Sequence, residues 1–210
     1  MSISPIQSCK LLWPLLLLSA VPIAAGAVRL LGLAFGSVVT PENARFVAMP
    51  VPVVLHILCA TVFCVLGAFQ FDSAVRRRTP RLHRSAGRVA VPCGIAAALT
   101  GLWMTGGYAI PAELQGKLLY GVRLLVGLAM TLAIFASVRA VMQGRIAQHK
   151  AWMVRAYALG QGAGTQVLIL LPVTLLAGAP TPLLRDVLMA SAWGLNVALG
   201  EWLIRRRRAP

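Results

Sequence analysis

The sequence predicts an all-α fold: a polytopic transmembrane helical bundle of about six spans with both termini cytoplasmic. Three observations carry that reading. Hydrophobic residues make up 59% of the 210 positions against 12% charged, and the mean hydropathy is +0.80, which is not the composition of a soluble domain. The apolar residues fall into runs long enough to cross a hydrocarbon core of about 30 Å, with only short connections between them. The 20 Lys and Arg, against 5 Asp and Glu, punctuate these runs unevenly and so report orientation.

The first run follows Lys10 and continues past Arg29 to Val39, longer than the apolar stretch of a secretory leader, so it is expected to be a retained span. Ala25-Gly26-Ala27 offers the competing reading, a leader cleavage site downstream of a basic residue. The expected spans are 11–39, 49–71, 88–109, 118–141, 151–178 and 186–204, forming a single transmembrane domain over 1–210. On one side of these spans lie Lys10, six arginines from Arg76 to Arg88, then Arg139, Arg145, Lys150 and Arg155, and finally Arg205 to Arg208. These are 15 basic residues against five (Arg29, Arg45, Lys117, Arg123, Arg185) on the other, so the first side is expected to be cytoplasmic. Trp13, Trp103, Trp152 and Trp202 sit near span ends, as an aromatic belt requires.

The formal charge of +15 is thus topological, not a continuous patch, and no nucleic-acid partner is expected. The partners it implies are the lipid bilayer, anionic lipids at the basic cytoplasmic face, and other membrane proteins or a second copy of the chain. The four cysteines lack C-x-x-C spacing, which argues against a disulfide framework or a zinc knuckle. With acids scarce and no Ser-His-Asp or paired-carboxylate pattern, no hydrolase or transferase motif is present in the sequence.

The polar residues that remain are informative because a helical projection gives each a face. In the second span His56, Ala60, Phe63, Gly67 and Gln70 share one stripe, making His56 and Gln70 intramembrane polar candidates. His149, Met153, Ala156, Gly160 and Gly164 share another, with the small-residue spacing that lets membrane helices approach closely. If the third helix starts as early as Leu82, His83, Gly87, Gly94, Ala98, Gly101 and Thr105 form a third. His83 and His149 lie at the cytoplasmic ends of their helices, whereas His56 is 15 residues from the inner end of its own, about 22 Å away, so all three cannot hold one ion. The plainer reading of His83 and His149 is that they touch lipid headgroups, and of Arg123 and Arg155 that they snorkel, with Glu201 pairing to the terminal arginines.

The stretches Arg81-Leu82-His83-Arg84-Ser85-Ala86-Gly87-Arg88 and His149-Lys150-Ala151-Trp152-Met153-Val154-Arg155 resemble the HR-x-x-GR and H-x-x-WM-x-R signatures of a bacterial integral membrane protein family, the domain-of-unknown-function family 2306. His56, with Gly67 and Phe71, is similar to an earlier element of that pattern, while Ser85, Ala90 and Gln166 depart from it. The resemblance covers about residues 46–170 and implies a multi-pass protein of the bacterial inner membrane, with no reaction attached. The expected chemistry is therefore argued from the residues themselves. His83 and His149 would ligate a b-type haem or a transition metal near the cytoplasmic edge in a redox role, with Arg84, Arg88 and Arg155 available to anionic groups. The alternatives are a small-solute transporter or channel lined by His56, Gln70 and Asn196, or a non-catalytic assembly subunit.

Overall fold

A computed structural model describes residues 9–206. Arg207 and Arg208 of the terminal basic cluster lie outside the described residues, as does the side chain of Lys10. The described chain is helical throughout, in the order α1 (Cys9–Phe35), α2 (Ala44–Ala48), α3 (Pro50–Gln70), α4 (Ser73–Arg78), α5 (Pro80–Gly107), α6 (Lys117–Met142), α7 (Ile146–Gly160), α8 (Gly162–Ala177) and α9 (Pro182–Arg206). Six stretches are long and apolar enough to cross a membrane: Leu11–Phe35, α3, α5, α6, α7 with α8, and α9. An even number of crossings puts Cys9 and Arg206 at the same end of the bundle, here the terminal end; the α1–α3 and α5–α6 connections lie at the far end.

Proline opens three of these helices: Pro50, Pro80 and Pro182 begin α3, α5 and α9, where the missing N–H would have found no intrahelical acceptor in any case. Consequently the third span starts at Pro80, not at 88, and the arginine-rich stretch expected to be a loop is helix carrying His83, Arg84 and Arg88.

Four elements close a ring. α3 packs along α5, α5 on α6, α6 on α7, and α7 returns to α3, which leaves α5 and α7 on a diagonal without extended direct packing. Phe63, 1% exposed, fills the centre against Gly94 of α5, Gly160 of α7, and Ile134 and Met130 of α6. Small residues such as Ala68, Ala133, Ala156 and Ala192 make up much of the remaining buried surface, the packing that brings helix backbones together where lipid tails are as apolar as leucine. Many large apolar side chains instead face outward, among them Leu17, Val28, Leu125, Leu132 and Leu176.

The fifth span changes neighbours partway. Below Gln161, α7 packs on α6, α9 and α3; above it, α8 packs on α9 and α1. Gln161 is at once the C-cap of α7 and the N-cap of α8. The switch is stabilised by a buried network in which Gln161 Nε2 donates to Tyr157 Oη at 2.7 Å and to Ser19 Oγ at 3.0 Å, and Tyr157 Oη donates to the Cys64 carbonyl at 2.8 Å. α8 can lie this close to α1 because Gly164 has no side chain: a Cβ there would stand 2.2 Å from the Leu18 carbonyl oxygen. With α8 drawn toward α1 and α9, the far half of the ring is left open.

Helix lengths set the vertical register. At the far end the Tyr108 hydroxyl, at the C-cap of α5, donates to the Met49 carbonyl at the N-cap of α3, 2.8 Å away, so the two helices are level there. The 21 residues of α3 span about 32 Å, whereas the 28 of α5 span about 42 Å, so α5 overhangs α3 by about 10 Å at the terminal end.

Candidate functional site

The overhang carries one group of polar residues. Gly87 is level with the end of α3, since a Cβ there would sit 3.6 Å from Gln70 Oε1, and His83 lies one turn further out, about 6 Å beyond Gln70. On α7, Tyr157 is level with Gly67, and His149 is eight residues beyond Tyr157, which places it about 7.5 Å past the level of Gln70. The two histidines thus stand at nearly the same height on diagonally opposed helices, both half-buried. His83 is within electrostatic reach of His149, Arg76, Arg84 and Lys150.

Their hydrogen bonding differs. His149 Nδ1 faces the Ser137 hydroxyl oxygen at 2.7 Å and the Ser137 carbonyl at 3.2 Å, while the hydroxyl lies 3.3 Å from the His149 carbonyl. The arrangement satisfied throughout has Nδ1–H donating to Ser137 and the hydroxyl donating to the carbonyl, which leaves Nε2 as the ring atom with a lone pair. His83 Nδ1 is buried without a partner, and so is Gln70 Nε2. Arg84 and Arg88 are exposed on α5. Arg155, expected among the groups open to an anion, is engaged elsewhere: its guanidinium forks onto Glu201 of α9, Nε to Oε1 at 2.5 Å and Nη2 to Oε2 at 3.1 Å, and stacks on Trp152 with 4.6 Å to the ring centre. Glu201 therefore ties α9 to α7, a pairing that the expectation of a bond to the terminal arginines did not include. Among the described residues, no group of three or more His, Cys, Asp or Glu is placed to hold a metal ion.

His56 belongs to a different site. Its Nδ1 lies 2.9 Å from the Ala97 carbonyl and 3.2 Å from Thr100 Oγ1, whose own proton goes to the Ala96 carbonyl at 2.6 Å. Nδ1–H is therefore the donor, and Nε2 is left unbonded on the wall of a cavity of about 480 Å³ in the open far half of the bundle. Walls of α1, α3, α5, α6 and α8 enclose it, with Phe63, Cys64 and Gln161 at its deep end. Gln70 and Asn196 do not line it; Asn196 bonds the Ala158 carbonyl and Thr165 instead.

The mouth of this cavity holds residues that the sequence gave no reason to connect. Arg45 of α2, Arg123 of α6 and Arg185 of α9 all line it, and Arg123 is within electrostatic reach of both others. The Arg29 and Arg45 guanidinium groups both lie over the Phe46 ring, at 4.7 and 4.4 Å from its centre, which accounts for Arg29. Burial first, and then the charge of Arg29, push the Arg45 guanidinium below its ordinary value. Asp186, 2% exposed, does not neutralise the group freely, because its carboxylate accepts the Gly116 N–H at 3.1 Å and the Leu119 N–H at 3.0 Å and so caps α6.

The comparisons agree with this architecture at the level of family. Searches of curated proteins and of solved structures return no match. The model of a family described as predicted membrane proteins, domain-of-unknown-function family 2306, matches residues 53–204, which include the span of His56, both signature stretches and the fork of Arg155 with Glu201. That match takes in well over half of the chain: this multi-pass helical membrane protein belongs to family 2306.

Proposed function

We propose that the chain is a redox protein of the bacterial inner membrane that binds a b-type haem through His83 and His149 at its cytoplasmic edge. The observation that carries the reading is the common height of two half-buried imidazoles on α5 and α7, just past the end of α3, each with a ring nitrogen uncommitted to protein and the two within electrostatic reach of each other. Side chains from different helices of a bundle are what such folds use to hold cofactors. Two protein ligands suit haem better than a bare ion, because the porphyrin supplies the other four nitrogens, whereas a structural zinc site draws four ligands from the chain. The orphaned Nδ1 of His83 and Nε2 of Gln70 are buried polar atoms of the kind a bound group satisfies. Ser137 would fix the His149 tautomer and ring plane, and exposed Arg84 and Arg88 would be open to carboxylates at the edge. Haem, when bound, supplies one-electron chemistry at iron. The arginines of α4 and α5 beside the site would rest against anionic lipid headgroups on the cytoplasmic side.

The test is an absorption spectrum of detergent-purified protein, oxidised and then reduced, from cells supplied with haem and iron. A haem spectrum lost in both His83→Ala and His149→Ala, with accumulation and membrane insertion intact, is the expected result. A colourless preparation, or a spectrum indifferent to both substitutions, overturns the proposal.

A further inference from the structure

Independently of the histidine pair, the structure assigns a second site: we infer that the far-end cavity binds an amphiphile with one anionic head, seated among Arg45, Arg123 and Arg185, and a single apolar chain running inward past His56. Several polar groups of the walls are already spoken for, His56 Nε2 excepted. Ser19 is bonded to Gln161, Thr105 to the Gly101 carbonyl, Tyr108 to the Met49 carbonyl and Gln166 to the Met189 carbonyl. What remains is at the mouth, where Arg45 Nη1 and Arg185 Nε are buried with no hydrogen-bond partner. Buried guanidinium N–H groups left unbonded are costly, and Arg123 is repelled by both Arg45 and Arg185. A carboxylate or phosphate oxygen relieves both costs at once. The acids nearby act on the mouth only through space, Asp186 on Arg123 and Glu42 on Arg45, and neither is hydrogen-bonded to an arginine: Asp186 accepts from the N-terminus of α6 and Glu42 lies in an exposed loop against Thr40.

The shape below the mouth fits a chain. From the level of Pro50 to that of Phe63 the cavity runs about 20 Å at the helical rise. A volume of about 480 Å³ drawn out over that depth suits an extended hydrocarbon chain. Ile57, Ala60, Met104, Val126 and Met130 make the walls apolar along this length. A membrane lipid that inserts one of its chains and a free fatty acid share this chemistry, and the test separates them.

Binding of radiolabelled decanoate to the full-length protein in a neutral detergent, followed by equilibrium dialysis, reads the site directly. One saturable site is expected, with decanol at least about ten-fold weaker because it loses a charge-assisted hydrogen bond of about 1.5 kcal/mol, and inorganic phosphate at least about ten-fold weaker because it has no chain to bury. Arg45→Gln, on a short helix outside the spans, and Arg185→Gln should each weaken decanoate about ten-fold, and Ala60→Phe should abolish binding by filling the channel below the mouth. Reconstitution in discs of anionic phospholipid that displaces decanoate, where zwitterionic discs do not, assigns a lipid; retention in both assigns a free amphiphile. Equal affinity for decanol and decanoate, affinity within two-fold of native in both arginine variants, or no saturable site overturns the inference. None of these readouts depends on His83 or His149, so failure here leaves the haem proposal standing and the reverse.

Discussion

The contact of Gly67 with Tyr157 allows a quantitative test of the packing beneath both sites. A methyl group at residue 67 would lie 2.3 Å from Cε2 and 2.6 Å from Cδ2 of the Tyr157 ring. The ring cannot swing aside freely, because its hydroxyl is fixed between the Cys64 carbonyl at 2.8 Å and Gln161 Nε2 at 2.7 Å, and Phe71 flanks it at 4.9 Å between ring centres. Overpacking a tight interior site costs about 1–3 kcal/mol. Moving the ring away sacrifices two hydrogen bonds, one across to Cys64 of α3 and one from Gln161 at the C-cap of its own helix, worth about 0.6 kcal/mol each within a membrane. Gly67→Ala is therefore expected to destabilise the fold by about 2–4 kcal/mol. Equilibrium unfolding in mixed micelles of increasing dodecyl sulfate content, followed by tryptophan fluorescence, measures the loss. The double variant completes the cycle: Tyr157→Ala alone leaves a void and costs about 3–5 kcal/mol, but with the ring gone the added methyl enters space, so Gly67→Ala should then cost less than about 0.5 kcal/mol. A single variant within 0.5 kcal/mol of native, or the same penalty with and without the ring, would refute the reasoning.

Four further outcomes are expected. Asp186→Asn weakens a charged cap on α6 and leaves the arginine mouth less compensated, lowering stability by about 1–2 kcal/mol, to be read from the thermal midpoint. Glu201→Gln breaks the fork to Arg155 at a partly exposed pair, so its loss should stay near or below about 1 kcal/mol and shrink at high salt. Burial holds the Tyr108 phenol above its ordinary pKa of 10.0, with Arg45 pulling the other way. The folded state thus retains a proton that the unfolded chain releases, stability falls as pH rises above about 10, and Tyr108→Phe should flatten that alkaline loss in a pH series of unfolding midpoints. Finally, reporters fused after Gly144 and after Glu113 should signal cytoplasm and exterior respectively; the opposite sign at Gly144 overturns the orientation read from Lys and Arg.

The spans were legible because an apolar run of bilayer length has few other uses, and the stripes through His56, His83 and His149 followed from the helical period alone. The start of α5 was readable in principle: Pro80 is a helix-opening residue, but the arginines after it looked like a loop. The cavity was not readable. Arg45, Arg123 and Arg185 stand in three separate segments, each unremarkable at a span end, and only the fold brings them to one mouth. The space behind them depends on the change of neighbours at Gln161, where Gly160 and Gly164 suggested a close helix contact but gave no sign that α8 would turn to α1 and α9. The fork of Arg155 with Glu201 was hidden for a related reason, since 46 residues separate partners that α7 and α9 place side by side.

The unequal helix lengths make the molecule a gauge of bilayer thickness. α3 matches a hydrocarbon layer of about 30 Å, while α5 and the joined α7 and α8, 28 and 32 residues long, exceed it. Because α3 and α5 are level at the far end, the excess of α5 emerges on the terminal side, and His83 and His149 ride there, about 6–8 Å beyond the end of α3, among headgroups and water. A layer thicker by that amount would draw both imidazoles and the neighbouring arginines into acyl chains, at a cost met only by thinning the lipid locally or tilting the bundle. The protein is thus suited to a layer of ordinary thickness, and lengthening the acyl chains around it acts first on the end that carries the histidines, leaving the arginine mouth at the opposite interface where it was.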